Sequence, residues 1–242
     1  MSLAQTLASG AGGDGDDHLS PANFKRLAEL IQEYSGIKMP TTKRTMLEGR
    51  MRRRVRSLGF ADINEYCETL LDTGGPNAEM VHFIDAVTTN KTEFFREPGH
   101  FTYMRSTILP EIMQGAKRTI KLWSAAASTG AEAYTMAMVL EDCLERGWDY
   151  SILGTDLSTQ VLEQAVRGVY PIEMVQPVPP DLRRRFVLQA RDPNRNEARI
   201  VPRLRAKTAF ARVNLMDSSY AADKAMDIIF LRNILILSLI HI

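Results

Sequence analysis

Residues 119–134 read TIKLWSAAASTGAEAY. A β-rich apolar run leads into an exit loop of nothing but small residues, and then into one carboxylate, Glu132, at the start of the next helix. A parallel sheet binds ligands at the carboxyl ends of its strands, where the first strand-to-helix turn lets backbone N–H groups approach them. Ala125 to Gly130, Ala126 among them, are expected to supply that approach, with Glu132 facing the ligand. The run YSILGTD (150–156) reads as the second strand and ends in Asp156. A carboxylate at that tip can accept hydrogen bonds from both hydroxyls of a ribose.

The loop is not the GxGxxG of dinucleotide sites, and a carboxylate at its mouth repels a pyrophosphate. A cationic nucleoside without phosphates is attracted instead. S-adenosylmethionine carries a ribose, a sulfonium and an amino group, so the pattern points to a class I methyltransferase. A nicotinamide-dependent fold competes with that reading, and a tightly packed turn that holds no ligand is the plainest alternative.

Working outward, TAFARVNL (208–215) and MDIIFLRN (226–233) read as two further strands, which with alternating helices make an α/β unit with a Rossmann-like parallel sheet over 88–242. Between the second and third strands, an irregular, proline-bearing insertion at about 170–207 suggests a helix or two and a small hairpin, a β-subdomain. Upstream, SPANFKRLAELIQEYSG (20–36) places Pro21 at a first helical position and Phe24, Leu27, Leu30, Ile31 and Tyr34 on one face. Three more amphipathic segments follow, so 18–87 reads as a small all-α domain behind a loose, glycine- and aspartate-rich tail, 1–17.

Composition narrows the function. At 45% apolar residues the chain can bury a real core, and a formal charge of +1 argues against a surface tuned as a whole to nucleic acid or anionic lipid. Cys67 and Cys143 are far apart in helical segments, the pattern of free thiols in a reducing, cytoplasmic compartment. No leader pattern opens the chain, and MDIIFLRNILILSLI is interrupted by Asp227, Arg232 and Asn233, which argues against membrane insertion. His18, His82, His100 and His241 stand in no metal or triad spacing, so no metal is expected.

Several motifs in order resemble the CheR-type chemotaxis receptor methyltransferases, protein-glutamate O-methyltransferases: TTNKTEFFRE (88–97), WSAAASTGAEAYT (123–135), GTDLSTQVLEQAVRGVY (154–170), FARVNL (210–215) and IIFLRNILI (228–236). The resemblance covers about residues 20–236. It implies an S-adenosylmethionine site in which Asn90, Thr92 and Arg96 border cofactor and methyl-transfer centre, Glu132 faces the methionine portion and Asp156 takes the ribose. Asn214 and Leu215 would flank the adenine, while Asn233 and Ile234 would lie beneath the transferring methyl. Arg96 is the expected catalytic residue, orienting the acceptor carboxylate. The product would be a glutamate methyl ester with S-adenosylhomocysteine. A non-catalytic cofactor- or receptor-binding module, and a methyltransferase acting on another substrate, fit the same fold.

In RMRRRVR (50–56) five of seven residues are arginine. At about 100° per residue Leu47, Met51, Val55 and Leu58 form one inward stripe, leaving Arg50, Arg53, Arg54 and Arg56 as a positive face. The resemblance implies that this face docks on the glutamate-rich methylation helices of a chemoreceptor, and a positive helix does steer toward an acidic coiled coil. A purely solvating arginine face is the alternative; nucleic acid is disfavoured by net charge and by the lack of a base-stacking aromatic set.

The first loop departs from the family in Ala131 and Ala133, where glutamate and proline are common, and Leu231 replaces a usual cysteine. After RNILI the family continues through a further helix, strand and hairpin, whereas this chain reads LSLIHI. Those residues back-translate to a transposon-end adapter, so the expectation is read-through of an incomplete gene, an open sheet edge over Ile228 to Ile240, and weakened cofactor binding.

Overall fold

Ser20 starts the first helix as its sequence suggests: its hydroxyl accepts from Asn23 N–H at 3.1 Å, Pro21 follows, and Gly36 closes the helix in the left-handed region. A computed structural model describes residues 18–72, 78–88, 91–192, 194–220 and 225–233. The expected tail and the chain beyond Asn233, where most of the anticipated open edge falls, lie outside the described residues. Four helices, α1 (Pro21–Ser35), α2 (Arg44–Leu58), α3 (Ile63–Asp72) and α4 (Ala78–Val87), enclose a core of their own that includes Phe24, Leu27, Leu47, Met51, Tyr66 and Phe83. The inward stripe of α2 is one residue shorter than the periodicity implies, because Leu58 is 46% exposed. Gly59 turns the chain left-handed there, and Phe60 folds back edge-on to Tyr66 in its place.

α5 (Pro98–Tyr103) and α6 (Leu109–Met113), joined by a wider π turn, lead into the sheet. Strands β1 (Thr119–Ala125), β2 (Asp149–Asp156), β6 (Thr208–Arg212) and β7 (Ile228–Leu231) are all parallel, in the order β6-β2-β1-β7. The chain builds outward from β1 to β2 and β6, then crosses to the other side of β1. That reversal is the topological switch at which open α/β sheets form ligand crevices. α7 (Ala131–Cys143), buried along Ala131–Leu140, packs on this sheet, and α8 (Thr159–Arg167) follows β2.

The insertion holds α9 (Pro180–Phe186), α10 (Pro202–Ala206) and a three-stranded antiparallel sheet rather than a hairpin alone. The hairpin of β4 (Val187–Gln189) and β5 (Glu197–Ile200) is joined by β3 (Val169–Pro171). A three-residue strand ending in proline carries too short a pattern to be read from sequence, yet proline is tolerated there because β3 is an edge.

The helical domain is tied to the sheet by polar contacts. Asp85 of α4 accepts from Thr159 N–H at 2.9 Å and from the Thr159 hydroxyl at 2.7 Å, capping α8 where Ser158 makes no side-chain cap of its own. Tyr34, at the end of α1, accepts from Asn214 Nδ2 through its carbonyl at 2.6 Å and from Arg212 Nη2 through its hydroxyl at 2.7 Å. Asp85→Ala should therefore lower the free energy of unfolding by about 1–2 kcal/mol, the worth of a helix cap. Urea denaturation of the two proteins measures this, and an unchanged midpoint and slope would show that the cap does not join the domains.

Candidate functional site

The exits of all four parallel strands open into one cavity. Ala126, Ser128 and Glu132 line it after β1, Asp156 and Leu157 after β2, Val213 to Leu215 after β6, and Arg232 and Asn233 after β7. Its ceiling comes from the helical domain, through Ile37, Met39 and Met46. Thr92, Lys91 and Arg96, from the segment joining the domains, close one side. Of the residues proposed from sequence, Thr92, Arg96, Ala126, Glu132, Asp156, Asn214, Leu215 and Asn233 thus meet in a single space. Asn90 and Ile234 lie outside the described residues.

The β1 exit loop is sharply bent, with Ala126, Ser128 and Gly130 at φ of 62°, 50° and 86°. Three of its N–H groups turn onto the protein itself instead of being presented to a ligand as expected. Ala127 N–H donates to Thr155 O at 2.8 Å, Ser128 N–H to Asp156 Oδ2 at 2.8 Å, and Gly130 N–H to Ala127 O at 2.9 Å. The loop is small so that it can pack on β2. These three donors are therefore not presented together to an anion, as the cradle of a pyrophosphate requires.

Asp156 accepts on its other oxygen from Ser158 N–H at 3.0 Å. The carboxylate is held in place by these backbone N–H groups and keeps acceptor capacity for a further donor. Burial, with Asp85 nearby, pushes its pKa above the ordinary carboxylate range, although N–H groups of Ser158, Ser128 and Leu157 pull the other way.

Glu132 lines the cavity with its charge already paired. Ser124 Oγ donates to Oε1 at 2.7 Å, and Arg232 Nε donates to Oε2 at 2.6 Å. Both members of this ion pair are nine-tenths buried or close to it, at 10% and 11% exposed. The electrostatic argument made from sequence, a free carboxylate attracting a cationic ligand, therefore needs correction: Arg232 compensates Glu132. A sequence signal existed, since an arginine directly after an apolar strand must find an acid or water, but nothing in it said which acid.

Arg96 stands between two non-glycine residues in the left-handed region, Phe95 at φ 55° and Glu97 at φ 53°. One of its nitrogens donates to Lys91 O at 2.9 Å, and the side chain borders the cavity. Lys43, one of the basic residues the sequence grouped with the α2 arginines, and Lys91, which it did not single out, also line the space; like Arg96 they have no acidic partner among the described residues. The Asn214 amide, expected beside an adenine, is engaged with Tyr34 O and with Met216 N–H at 3.0 Å. On α2, Arg53 and Arg56 are exposed. Arg50 instead donates to Val87 O and Thr88 O, and Arg54 pairs with Glu79, which also accepts from the Tyr66 hydroxyl at 2.7 Å. Among the described residues there is no metal-binding cluster, and no helix is long and apolar enough to cross a membrane.

A four-stranded parallel sheet whose exits share one cavity, with a fixed carboxylate at the second strand's tip, places the chain among Rossmann-like α/β proteins, here joined to an all-α domain. Residues 90–238 match the family model described as CheR methyltransferase, SAM binding domain, and residues 22–88 match CheR methyltransferase, all-alpha domain. The chain is 37% identical over 219 residues to the chemotaxis protein methyltransferase of Klebsiella aerogenes, covering 90% of this chain and 73% of that protein. It is 34% identical to chemotaxis protein methyltransferase 2 of Pseudomonas aeruginosa, over 93% of this chain and 79% of that protein. With the Escherichia coli chemotaxis protein methyltransferase it shares 35% identity over 90% of this chain and 74% of that protein. The chain belongs to the CheR methyltransferase family, and S-adenosylmethionine is its methyl donor. The residues present are compatible with that group, because an anchored carboxylate, Asp156, stands at the cavity wall and three N–H groups of the β1 exit loop are turned away from it.

The buried Asp156 titrates with an unusual sign. An acid whose folded-state pKa is raised is protonated more readily in the native than in the unfolded chain. Its contribution to stability therefore falls as pH rises from the ordinary carboxylate pKa through the raised one. Carboxyl-carbon NMR should place the Asp156 midpoint above the ordinary carboxylate range; a midpoint at or below it would contradict the burial described.

Proposed function

We propose that the protein transfers the methyl group of S-adenosylmethionine to glutamate side chains of chemoreceptors in the cytoplasm, leaving glutamate methyl ester and S-adenosylhomocysteine. Support comes from its relatives, chemotaxis protein methyltransferases, and from one observation about the cavity. Among the described residues, Lys43, Lys91 and Arg96 border it as cations without acidic partners, and no histidine lines it. Such a lining suits an acceptor that is already an anion. A glutamate side chain, with pKa about 4.3, is ionised at neutral pH and needs no base.

When bound, the cofactor supplies an electrophilic methyl carbon on a sulfonium. The chain's own residues have the remaining tasks. Asp156 holds the ribose hydroxyls; Thr92, Ala126, Asn214, Leu215 and Asn233 enclose the nucleoside, with Asn90 and Ile234 assigned by motif position. Glu132, its direction set by Ser124 and Arg232, borders the methionine portion. Arg96 takes and orients the acceptor carboxylate, and the ceiling of Ile37, Met39 and Met46 excludes water. The receptor docks along α2 on exposed Arg53 and Arg56, while Arg50 and Arg54 hold that helix against α4.

Incubation with labelled cofactor and a chemoreceptor cytoplasmic fragment should give a base-labile methyl ester on glutamate. Base-stable label, or none despite cofactor binding, would overturn the reading. Arg96→Ala should lower kcat by about 10²-fold, the scale of losing one preorganised charge-stabilising donor. Affinity for S-adenosylhomocysteine should weaken as pH falls toward the raised Asp156 pKa, since protonation removes an acceptor; calorimetry across neutral to mildly acidic pH checks this.

A further inference from the structure

Arg232 touches more of the site than any ligand-facing role requires. Its Nε donates to Glu132 Oε2 at 2.6 Å, and its Nη1 donates to the carbonyl of Arg96 at 2.8 Å. The same Nη1 lies 3.4 Å from Glu97 Oε2 and 3.1 Å from His100 Nδ1. The guanidinium sits over Phe101 and Phe230, at 5.1 and 5.6 Å from the ring centroids. One planar group thus joins the exit of β7 to the first turn of α7 and to the backbone of Arg96.

That backbone is strained. Phe95 and Glu97, on either side of Arg96, both hold left-handed conformations that cost non-glycine residues energy and persist only when the surroundings enforce them. Two of the ties that hold this turn lead to α7. Phe95 N–H donates to Thr135 Oγ1 at 3.2 Å, and Arg96 O is held by Arg232, which Glu132 anchors. Glu132 and Thr135 stand three residues apart, on one face of that helix.

We propose that Arg232 is a positioning residue: it holds the Phe95–Glu97 turn in its strained form and thereby aims the Arg96 side chain at the acceptor carboxylate, while fixing the direction of Glu132. The role of Arg96 in this statement rests on the methyl-transfer reading given above; the hold on the turn does not. Two different nitrogens of one rigid fork make the two bonds, so lysine, a single point charge, cannot replace it.

The test uses the full chain with Arg232→Lys and Arg232→Met. Amide hydrogen exchange across residues 93–97 should accelerate at least about 10-fold in both variants, while exchange in β1 stays as in the parent. Unchanged exchange at 93–97, or equal acceleration throughout the sheet, overturns the hold on the turn. Since Arg232→Met alone leaves Glu132 buried and unpaired, the pair Glu132→Gln with Arg232→Met removes both charges and should show the same local acceleration in a folded protein.

The kinetic arm reads kcat against KM. Both single variants should lose about 10²-fold in kcat, the scale of a misplacement near 1 Å, with S-adenosylhomocysteine affinity changed far less. Combined with Arg96→Ala, Arg232→Met should cost little more than Arg96→Ala alone, because it acts through that residue. Additive losses, or full kcat in Arg232→Lys, overturn the proposal. A parent protein that methylates no glutamate would sink the methyl-transfer reading and leave the exchange result to stand or fall separately.

Discussion

Phe210 occupies the volume that two glycines leave empty. A side-chain carbon on Gly154 would come within 2.5 Å of the Phe210 ring, and one on Gly130 would meet the same ring at 2.9 Å and Ala165 at 2.8 Å. This three-way contact joins β2, β6 and the β1 exit loop at the carboxyl edge of the sheet. It sets how close the loop lies to the strands, and everything in the cavity depends on that distance. Because the loop is pressed onto β2, its N–H groups close on Thr155 and Asp156 instead of opening to an anion. Because Asp156 receives one of those N–H groups, its carboxylate is fixed at the cavity wall. Gly130 adds a second requirement, since its φ of 86° strains any residue with a side chain.

Charge in the cavity is arranged by compensation. Glu132 and Asp156 are both buried acids, yet their burial is relieved differently, the first by an ion pair with Arg232 and the second by backbone N–H groups. An ion pair so far from water returns little net stability, while removing one partner leaves an expensive unpaired charge. Its value here is geometric, because the pair spans one hundred residues of sequence and closes the site between β7 and α7. With the acids compensated, the cations left without acidic partners among the described residues, Lys43, Lys91 and Arg96, dominate the cavity's field.

Much of this was legible in the sequence. Apolar runs of strand length alternating with helical periods announced the parallel sheet, and the small loop with Asp156 beyond it announced the crevice. The helical domain was equally plain, because each amphipathic segment ends at glycine or a polar turn. What escaped has a common physical cause: it depends on pairs brought together only by the fold. Arg232 meeting Glu132, Asp85 capping α8, and the ceiling of Met39 and Met46 are contacts between distant segments with no local periodicity. The left-handed turns at Ala126 and Ser128 escaped too, since alanine and serine give no sign of positive φ. The basic helix was legible as a positive face, but not that Arg50 and Arg54 are held to α4 and its neighbours.

The non-glycine residues with positive φ among those described are Phe95, Glu97, Ala126, Ser128 and Asn233, and each lines the cavity or adjoins a residue that does. At about 1–2 kcal/mol apiece for a left-handed residue, that strain is comparable to the whole margin by which a domain is stable. Local propensity cannot hold such conformations; only long-range ties can, and here these come from α7, from Asp156 and from Arg232. The strain also falls where three segments converge on the cavity, and under the proposed reaction that is where an acceptor must be held in place. A relaxed backbone at Phe95 or Glu97 would turn the Arg96 carbonyl away from Arg232 and swing the Arg96 side chain with it. The tie and the strain are thus two sides of one arrangement. The sheet and α7 hold the strained turns, while the all-α domain, fastened through Asp85 and Tyr34, covers the cavity and steadies Asn214 and the start of α8 at its edge.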